Sequence, residues 1–127
     1  MSSQQTSKRK FTLRNRLTNS KDFDSVFDNK EIKISTPSLL VLAKRNNYKR
    51  NRLGMIVSKK SVPKSVQRNK TKRHIRETFR NIFTDEEKTM DIVVITRPKI
   101  RKEQNPLKLI QKSFESLVSE FGTSKSA

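Results

Sequence analysis

The chain has 127 residues, room for one domain. Thirty Lys and Arg stand against twelve Asp and Glu, a formal net charge of +18, and hydrophobic residues make up only 31%. The absence of cysteine excludes a disulfide framework, a thiol nucleophile and a zinc finger, and no apolar run approaches the ~20 residues of a membrane span. Leu, Ile, Val and Phe still supply 33 of the 127 residues, enough for a folded domain with a thin core. The opening MSSQQTSKRKF holds no apolar stretch of the secretory type. These features lead us to expect a soluble cytoplasmic protein whose partner is a polyanion.

Residues 1–18 have no convincing periodicity, and 1–10 read as a flexible basic arm ahead of a single domain over 11–121. Asn19 followed by Asp22 marks a helix start, and Phe23, Val26 and Phe27 form its apolar stripe, ending near Asp28-Asn29. Ser38 to Ala43 reads as a strand and Leu53 to Lys59 as a second, with KRNNYKRNR between them as a hairpin loop. A long helix follows Pro63 and runs to about Phe83. Asp91 to Thr96 is a third strand, closed by Arg97-Pro98. The last helix covers about Gln104 to Phe121, with Leu107, Ile110, Phe114, Leu117 and Phe121 along one face, and 122–127 reads as a disordered tail. The expected class is α+β: a small mixed sheet of three or four strands packed with helices, in the order α-β-β-α-β-α.

The two signs of charge are segregated. Lys8, Arg9, Lys10, Arg14 and Arg16 form one cluster without an acid, and residues 44–52 hold five more cations, again without one. Ser58 to Arg80 carries nine cations and the single acid Glu77, and Arg97, Lys99, Arg101 and Lys102 form a fourth group. A solubilising surface mixes the signs, so this pattern favours a binding face. On the long helix Asn69, Lys72, Arg73, Arg76 and Arg80 fall within a sector of about 100° beside the apolar stripe of Ile75, Phe79, Ile82 and Phe83. Cations at i, i+3 and i+4 repel one another, and the strip costs stability unless an anion faces it.

Two stretches carry a family resemblance. Arg52-Leu53-Gly54-Met55-Ile56-Val57-Ser58-Lys59-Lys60, then Arg68-Asn69-Lys70-Thr71-Lys72-Arg73-His74-Ile75-Arg76-Glu77-Thr78-Phe79-Arg80, resemble the strand R-x-G-x-x-V-S-K-K and helix R-N-R-x-K-R-x-x-R-E-x-F of the protein component of bacterial ribonuclease P. Leu13-Arg14-Asn15-Arg16-Leu17 with Asp22-Phe23 and Val26-Phe27 is similar to the family's opening, and Ile92 to Pro98 to its last strand. The resemblance covers nearly the whole chain. Lys70 stands where the family has its second Arg and lacks the planar fork for phosphate; the first strand offers Leu39, Leu40 and Leu42 where the family often has aromatics.

The resemblance implies a ribosomal protein S5 domain 2-like fold with a left-handed strand-helix-strand crossover, against the general right-handed rule. It implies a subunit of an endoribonuclease that removes the 5′ leader of precursor tRNA, one protein per catalytic RNA, binding neither DNA nor membrane. Arg68, Asn69, Lys70, Lys72, Arg73, Arg76, Arg80, Lys59 and Lys60 are the implied contacts to the catalytic RNA. Phe11, Arg14, Phe23, Phe27 and Arg97 are those to the single-stranded leader, which is held in a cleft between the first helix and the sheet. Mg²⁺ is implied as held by the RNA rather than the protein. A basic groove lined with aromatic faces suits a single strand.

Three other readings share the charge. A ribosomal or other structural RNA-binding protein more often carries its cations on long extensions. A major-groove DNA module has a short helix and tight turn before its reading helix, where this chain has strands. A self-sufficient nuclease needs an acid-base pair or convergent carboxylates, whereas this chain has one histidine, His74, and an acidic run, Asp85-Glu86-Glu87, of the kind found in solvated loops.

Overall fold

The computed structural model describes residues 15–84 and 88–126, with side chains described through 121. Phe11, Arg14, the arm 1–10 and the acids at 85–87 lie outside the described residues. The elements are α1 (Ser20–Asn29), β1 (Ile32–Ser35), β2 (Leu39–Arg45), β3 (Arg52–Ile56), α2 (Ser65–Ile82), β4 (Met90–Thr96), a 3₁₀ turn (Pro98–Lys102) and α3 (Pro106–Ser126). The six expected elements occur in the expected order. β1 is an additional strand.

α1 begins as its sequence dictates: Asn19 Oδ1 accepts the amide of Asp22 at 2.9 Å, filling one of the helix's free donors. At the other end Lys30 Nζ donates to the Phe27 carbonyl at 2.9 Å. β1 is four residues, Ile32-Lys33-Ile34-Ser35, too short for its alternation to stand out among charged neighbours. It forms because β2 lies beside it, joined by a turn in which Thr36 Oγ1 accepts the Leu39 amide at 2.9 Å. The sheet hairpin is therefore β1-β2, with Pro37 in its turn.

The sheet order is β1-β2-β4-β3, with β4 antiparallel to β2 and parallel to β3. KRNNYKRNR is therefore not a hairpin loop: it crosses the end of β4, which sits between β2 and β3. The reason lies in composition. Met90 to Val94 are all buried, on both faces of the sheet, and a strand apolar on both sides belongs in the middle. Asn46 fixes the crossing, its amide donating to the Thr89 carbonyl at 3.1 Å and its Nδ2 to Asp91 Oδ1 at 2.7 Å. β3 ends at Ile56 rather than Lys59, because Ser58 Oγ accepts the Ser61 amide at 3.1 Å and turns the chain toward α2. α2 then returns to β4, making a β-α-β unit of parallel neighbours.

Each face of the sheet has its own core. Leu39, Val41, Ala43, Leu53, Ile92 and Val94 point toward α2 and α3, meeting Ile75, Phe79, Ile110, Phe114 and Leu117. Phe83 stands between Phe79 and Phe114, ring centroids 5.5 and 5.2 Å away. On the opposite face Leu42 and Val93 meet Val26 of α1 and Leu17. α3 departs from expectation at both ends. Leu107 is exposed in its first turn while Leu109 packs on the core, and the helix continues through Ser126 where a disordered tail was expected. No proline interrupts 107–126, so intrahelical bonds carry it past Gly122, a residue that costs a helix about 1 kcal/mol without breaking it.

One buried ion pair ties these parts together. Arg52 Nε and Nη2 donate to the two carboxylate oxygens of Asp91, both at 2.8 Å; Asp91 is 1% exposed. Arg52 Nη1 lies 3.6 Å from Asp22 at the start of α1, and the Tyr48 ring covers the guanidinium at 4.0 Å. The bond to Asp91 raises the Arg52 pKa above its ordinary value, burial acting in the opposite direction. Two residues on, Gly54 lets α1 approach the sheet closely: a Cβ there would sit 2.7 Å from two ring carbons of Phe23 and 3.2 Å from Leu17 Cβ.

Asp91→Ala leaves a buried guanidinium short of its main partner and should lower the unfolding free energy by about 3–5 kcal/mol, read from urea denaturation. Gly54→Ala should cost about 1–3 kcal/mol through overpacking. Combining it with Phe23→Leu, which removes the clashing ring, should recover part of that loss in the same assay.

Candidate RNA interface

α2 presents the densest charge. Its buried side carries Ile75, Thr78 and Phe79. Gln67 and Thr71 on one flank line a cavity of about 390 Å³ with Ile100, Arg101, Glu103 and Pro106, so at 100° per residue the cationic strip occupies the other flank, away from α3. Asn69, Lys70 and Arg73 are exposed, while Lys72, Arg76 and Arg80 are half-buried. Among the described residues none of these cations forms an ion pair; the pairs present are Arg45–Glu31, Arg52–Asp22 and Arg52–Asp91. The Nε of Arg80 is buried without a hydrogen-bond partner among the described residues. Lys59 and Lys60 are exposed in the turn that leads from β3 to this helix.

Arg68 behaves differently from the rest of its motif. Its Nη1 donates to the carbonyls of Val62 and Pro63, at 3.1 and 2.8 Å. It straps the entry turn onto the helix, on the core side of the strip. Periodicity alone could have placed it there, since on the wheel Arg68 lies about 20° from both Ile75 and Phe79 and about 120° from Arg80.

The second constellation lies across the sheet. Ser35, Leu40, Ile95 and Ile56 are register partners in one row and share the face on which α1 rests, since paired residues point the same way. α1 covers the neighbouring row of Leu42, Val93 and Gly54 and leaves the Leu40 row partly open: Leu40 and Ile95 are half-buried and Ile56 is 36% exposed. Phe23 and Phe27, both half-buried with ring centroids 6.5 Å apart, pack beside it. The result is a shallow cleft with an aliphatic floor and an aromatic wall. Arg97 closes one end, its Nη1 donating to Ser35 Oγ at 3.0 Å and the Thr36 carbonyl at 2.7 Å.

The fold thus gathers Phe23, Phe27 and Arg97 on one side of the sheet and places the α2 cations on the other. The floor residues Leu40, Ile56 and Ile95 were not singled out from sequence; their only signal was the outward alternation within strands whose other face is core. Among the described residues no three His, Cys, Asp or Glu side chains converge as metal ligands, and no helix is long and apolar enough to cross a membrane.

Comparison with known proteins agrees with this architecture. Residues 11–122 match the protein-family model described as Ribonuclease P. The Ribonuclease P protein component of Stutzerimonas stutzeri is 41% identical over 98 residues, covering 77% of this chain and 74% of that one. Its counterpart in Pseudomonas fluorescens is 40% identical over 101 residues, 80% of this chain and 74% of its own. Among solved structures, the RNase P protein of Staphylococcus aureus superimposes with a TM-score of 0.64 at 30% identity over 83% of this chain and 93% of that one. The Thermotoga maritima RNase P protein, in complex with 1-(4-fluorophenyl)-2-thiourea, gives 0.67 at 32% identity over 80% and 95%. A family match over almost the full length, relatives near 40% identity and solved folds of the same topology lead to one conclusion: the chain belongs to the family of bacterial ribonuclease P protein components.

Proposed function

We propose that this protein binds the catalytic RNA of ribonuclease P through the α2 strip and holds the 5′ leader of precursor tRNA in the α1 cleft, assisting endonucleolytic removal of the leader. The observation that carries this reading is the run of α2 cations without a single ion pair among the described residues. Lys72, Arg76 and Arg80 are held half-buried with their charges unneutralised. Phosphates placed opposite them remove the mutual repulsion and release counterions, which is where affinity for a nucleic acid backbone comes from. Asn69 adds a neutral donor and acceptor within the same strip. Lys59 and Lys60 extend the charge around the end of β3.

The cleft suits a different ligand. An unpaired strand can lay its bases on Phe23 and Phe27 and its sugars over Leu40 and Ile95. Arg97 is engaged with the β1-β2 turn through Nη1, so its part is to close the groove and add positive potential there.

We assign phosphodiester hydrolysis, and the Mg²⁺ it requires, to the RNA subunit. The described residues bring together no carboxylate set for that ion, and the single histidine, His74, has no second to share proton transfer. In this reading the polypeptide orients the substrate, screens repulsion between two RNAs and works in the cytoplasm, one copy per catalytic RNA.

Affinity for the catalytic RNA should fall linearly with log salt, by about 0.7–0.9 decades per decade for each phosphate neutralised. Arg73→Ala combined with Arg76→Ala should flatten that slope by roughly 1.5 while the circular dichroism spectrum stays unchanged; a slope equal to the wild type places the RNA elsewhere. Replacing Phe23 or Phe27 with Ala in the assembled holoenzyme should weaken precursor tRNA by one stacking term, about 1–3 kcal/mol, and leave mature tRNA, which has no leader, unaffected. Equal losses for both ligands together with a lowered melting midpoint would identify the rings as core.

A further inference from the structure

The crossing loop between β2 and β3 holds an aromatic ring that neither the α2 strip nor the α1 cleft uses. Tyr48 is 50% exposed, the most exposed aromatic among the described residues, yet it is closely held. Its amide donates to Asn46 Oδ1 at 3.0 Å. Asn46 is fixed in turn by Asp91 at 2.7 Å and by the Thr89 hydroxyl, also at 2.7 Å. The ring lies 4.0 Å from the Arg52 guanidinium, itself locked by Asp91. Lys49 adopts φ 60°, a left-handed conformation uncommon for a residue with a side chain, and it bends the chain immediately after the ring. Arg50 stands 5.7 Å from the ring centroid. The loop and its flanks, 44–52, contain five cations and no acid; Arg45 pairs with Glu31, and Arg52 with Asp22 and Asp91.

We propose that Tyr48 is a stacking platform for an unpaired nucleotide of the catalytic RNA, with Lys49 and Arg50 beside the flanking phosphates. This rests on the function proposed above. A base stacks on any accessible ring face, and a ring already ordered loses little entropy in the encounter. The loop leaves the sheet at the Arg45, Arg52 and Met90 end, four residues of strand, about 13 Å, from the cleft floor of Leu40, Ile56 and Ile95, while Arg52 beneath the ring also meets Asp22 at the start of α1. The loop is also tied to the end of α2, Asn51 Nδ2 donating to the Phe83 carbonyl at 3.1 Å, one turn beyond Arg80 of the cationic strip, and this contact favours the catalytic RNA as the occupant.

The chain contains no tryptophan, so Tyr48→Trp introduces a single indole fluorophore at the site while keeping a ring over Arg52. Titrated with a ribonuclease P RNA transcript in the absence of tRNA, its emission should be quenched and its affinity should stay within about twofold of the wild type. Tyr48→Leu should bind that RNA about tenfold more weakly, the low end of one stacking contact, with the circular dichroism spectrum of the wild type. Emission unaltered at saturating RNA overturns the proposal, as does a Leu variant that binds like the wild type. Quenching that appears only when leader-bearing precursor tRNA is added to the holoenzyme also overturns it. A wild-type chain that fails to bind the transcript refutes the function proposed above, an outcome distinct from normal wild-type binding with a silent indole in the Tyr48→Trp variant.

Discussion

The Arg52 guanidinium and the Asp91 carboxylate meet edge to edge between two parallel strands, and four parts of the molecule depend on that contact. It clamps β3 to β4 with two 2.8 Å hydrogen bonds. Through Asp22 it sets the start of α1, and through the Tyr48 ring it anchors the crossing loop. Asn46 completes the set from the end of β2. A buried ion pair often adds little net stability over an apolar pair of the same shape, but it is intolerant of losing one member. Its effect here is geometric: with β3 and α1 referred to one carboxylate, Phe23 comes down on the bare backbone of Gly54, and that depth determines how much of the Leu40 row stays open.

Charge is distributed around this centre in a consistent way. Acids that fold against the body of the protein find cations there: Asp91 and Asp22 on Arg52, Glu31 on Arg45. Among the described residues the α2 strip receives none. A chain at +18 accepts self-repulsion that opposes its own compaction, and concentrating the unneutralised part on one helix flank confines the cost to a surface that a polyanion can relieve. A polyanion that binds the folded state stabilises it through mass action, which links folding to any such association.

The two surfaces differ in physics as well as position. One is convex, cationic and polar; the other is a groove with an aliphatic floor and two aromatic rings. A sheet with helices on both faces can carry both because β4 is buried on both sides. Leu40, Ile56 and Ile95 make the groove floor aliphatic, so the aromatic faces beside it are those of Phe23 and Phe27.

Sequence alone determined what depends on neighbours within a turn or two. The Asn19 cap, the apolar stripes of α2 and α3, the Val-Ile run of β4 and the cationic sector of the long helix are local periodicities, and each was legible as such. The family was legible too, because its motifs lie within two continuous stretches. Tertiary structure decided whatever joins residues far apart in the chain. β4 entered between β2 and β3 and turned an apparent hairpin into a crossing, because only the assembled sheet reveals which strand is covered on both faces. β1 was too short to declare itself without β2. Arg68 and Arg97, cations of one kind in the sequence, became straps on backbone carbonyls once the turns they hold came within reach, Arg97 across 61 positions to Thr36. Tyr48, one more polar letter in a basic loop, acquired its fixed orientation from Arg52 and Asp91, which lie 39 positions apart. Local preference can specify a helix or a charged face, but which donors are left free for a ligand is settled only after the chain has used the others to close its own long-range contacts.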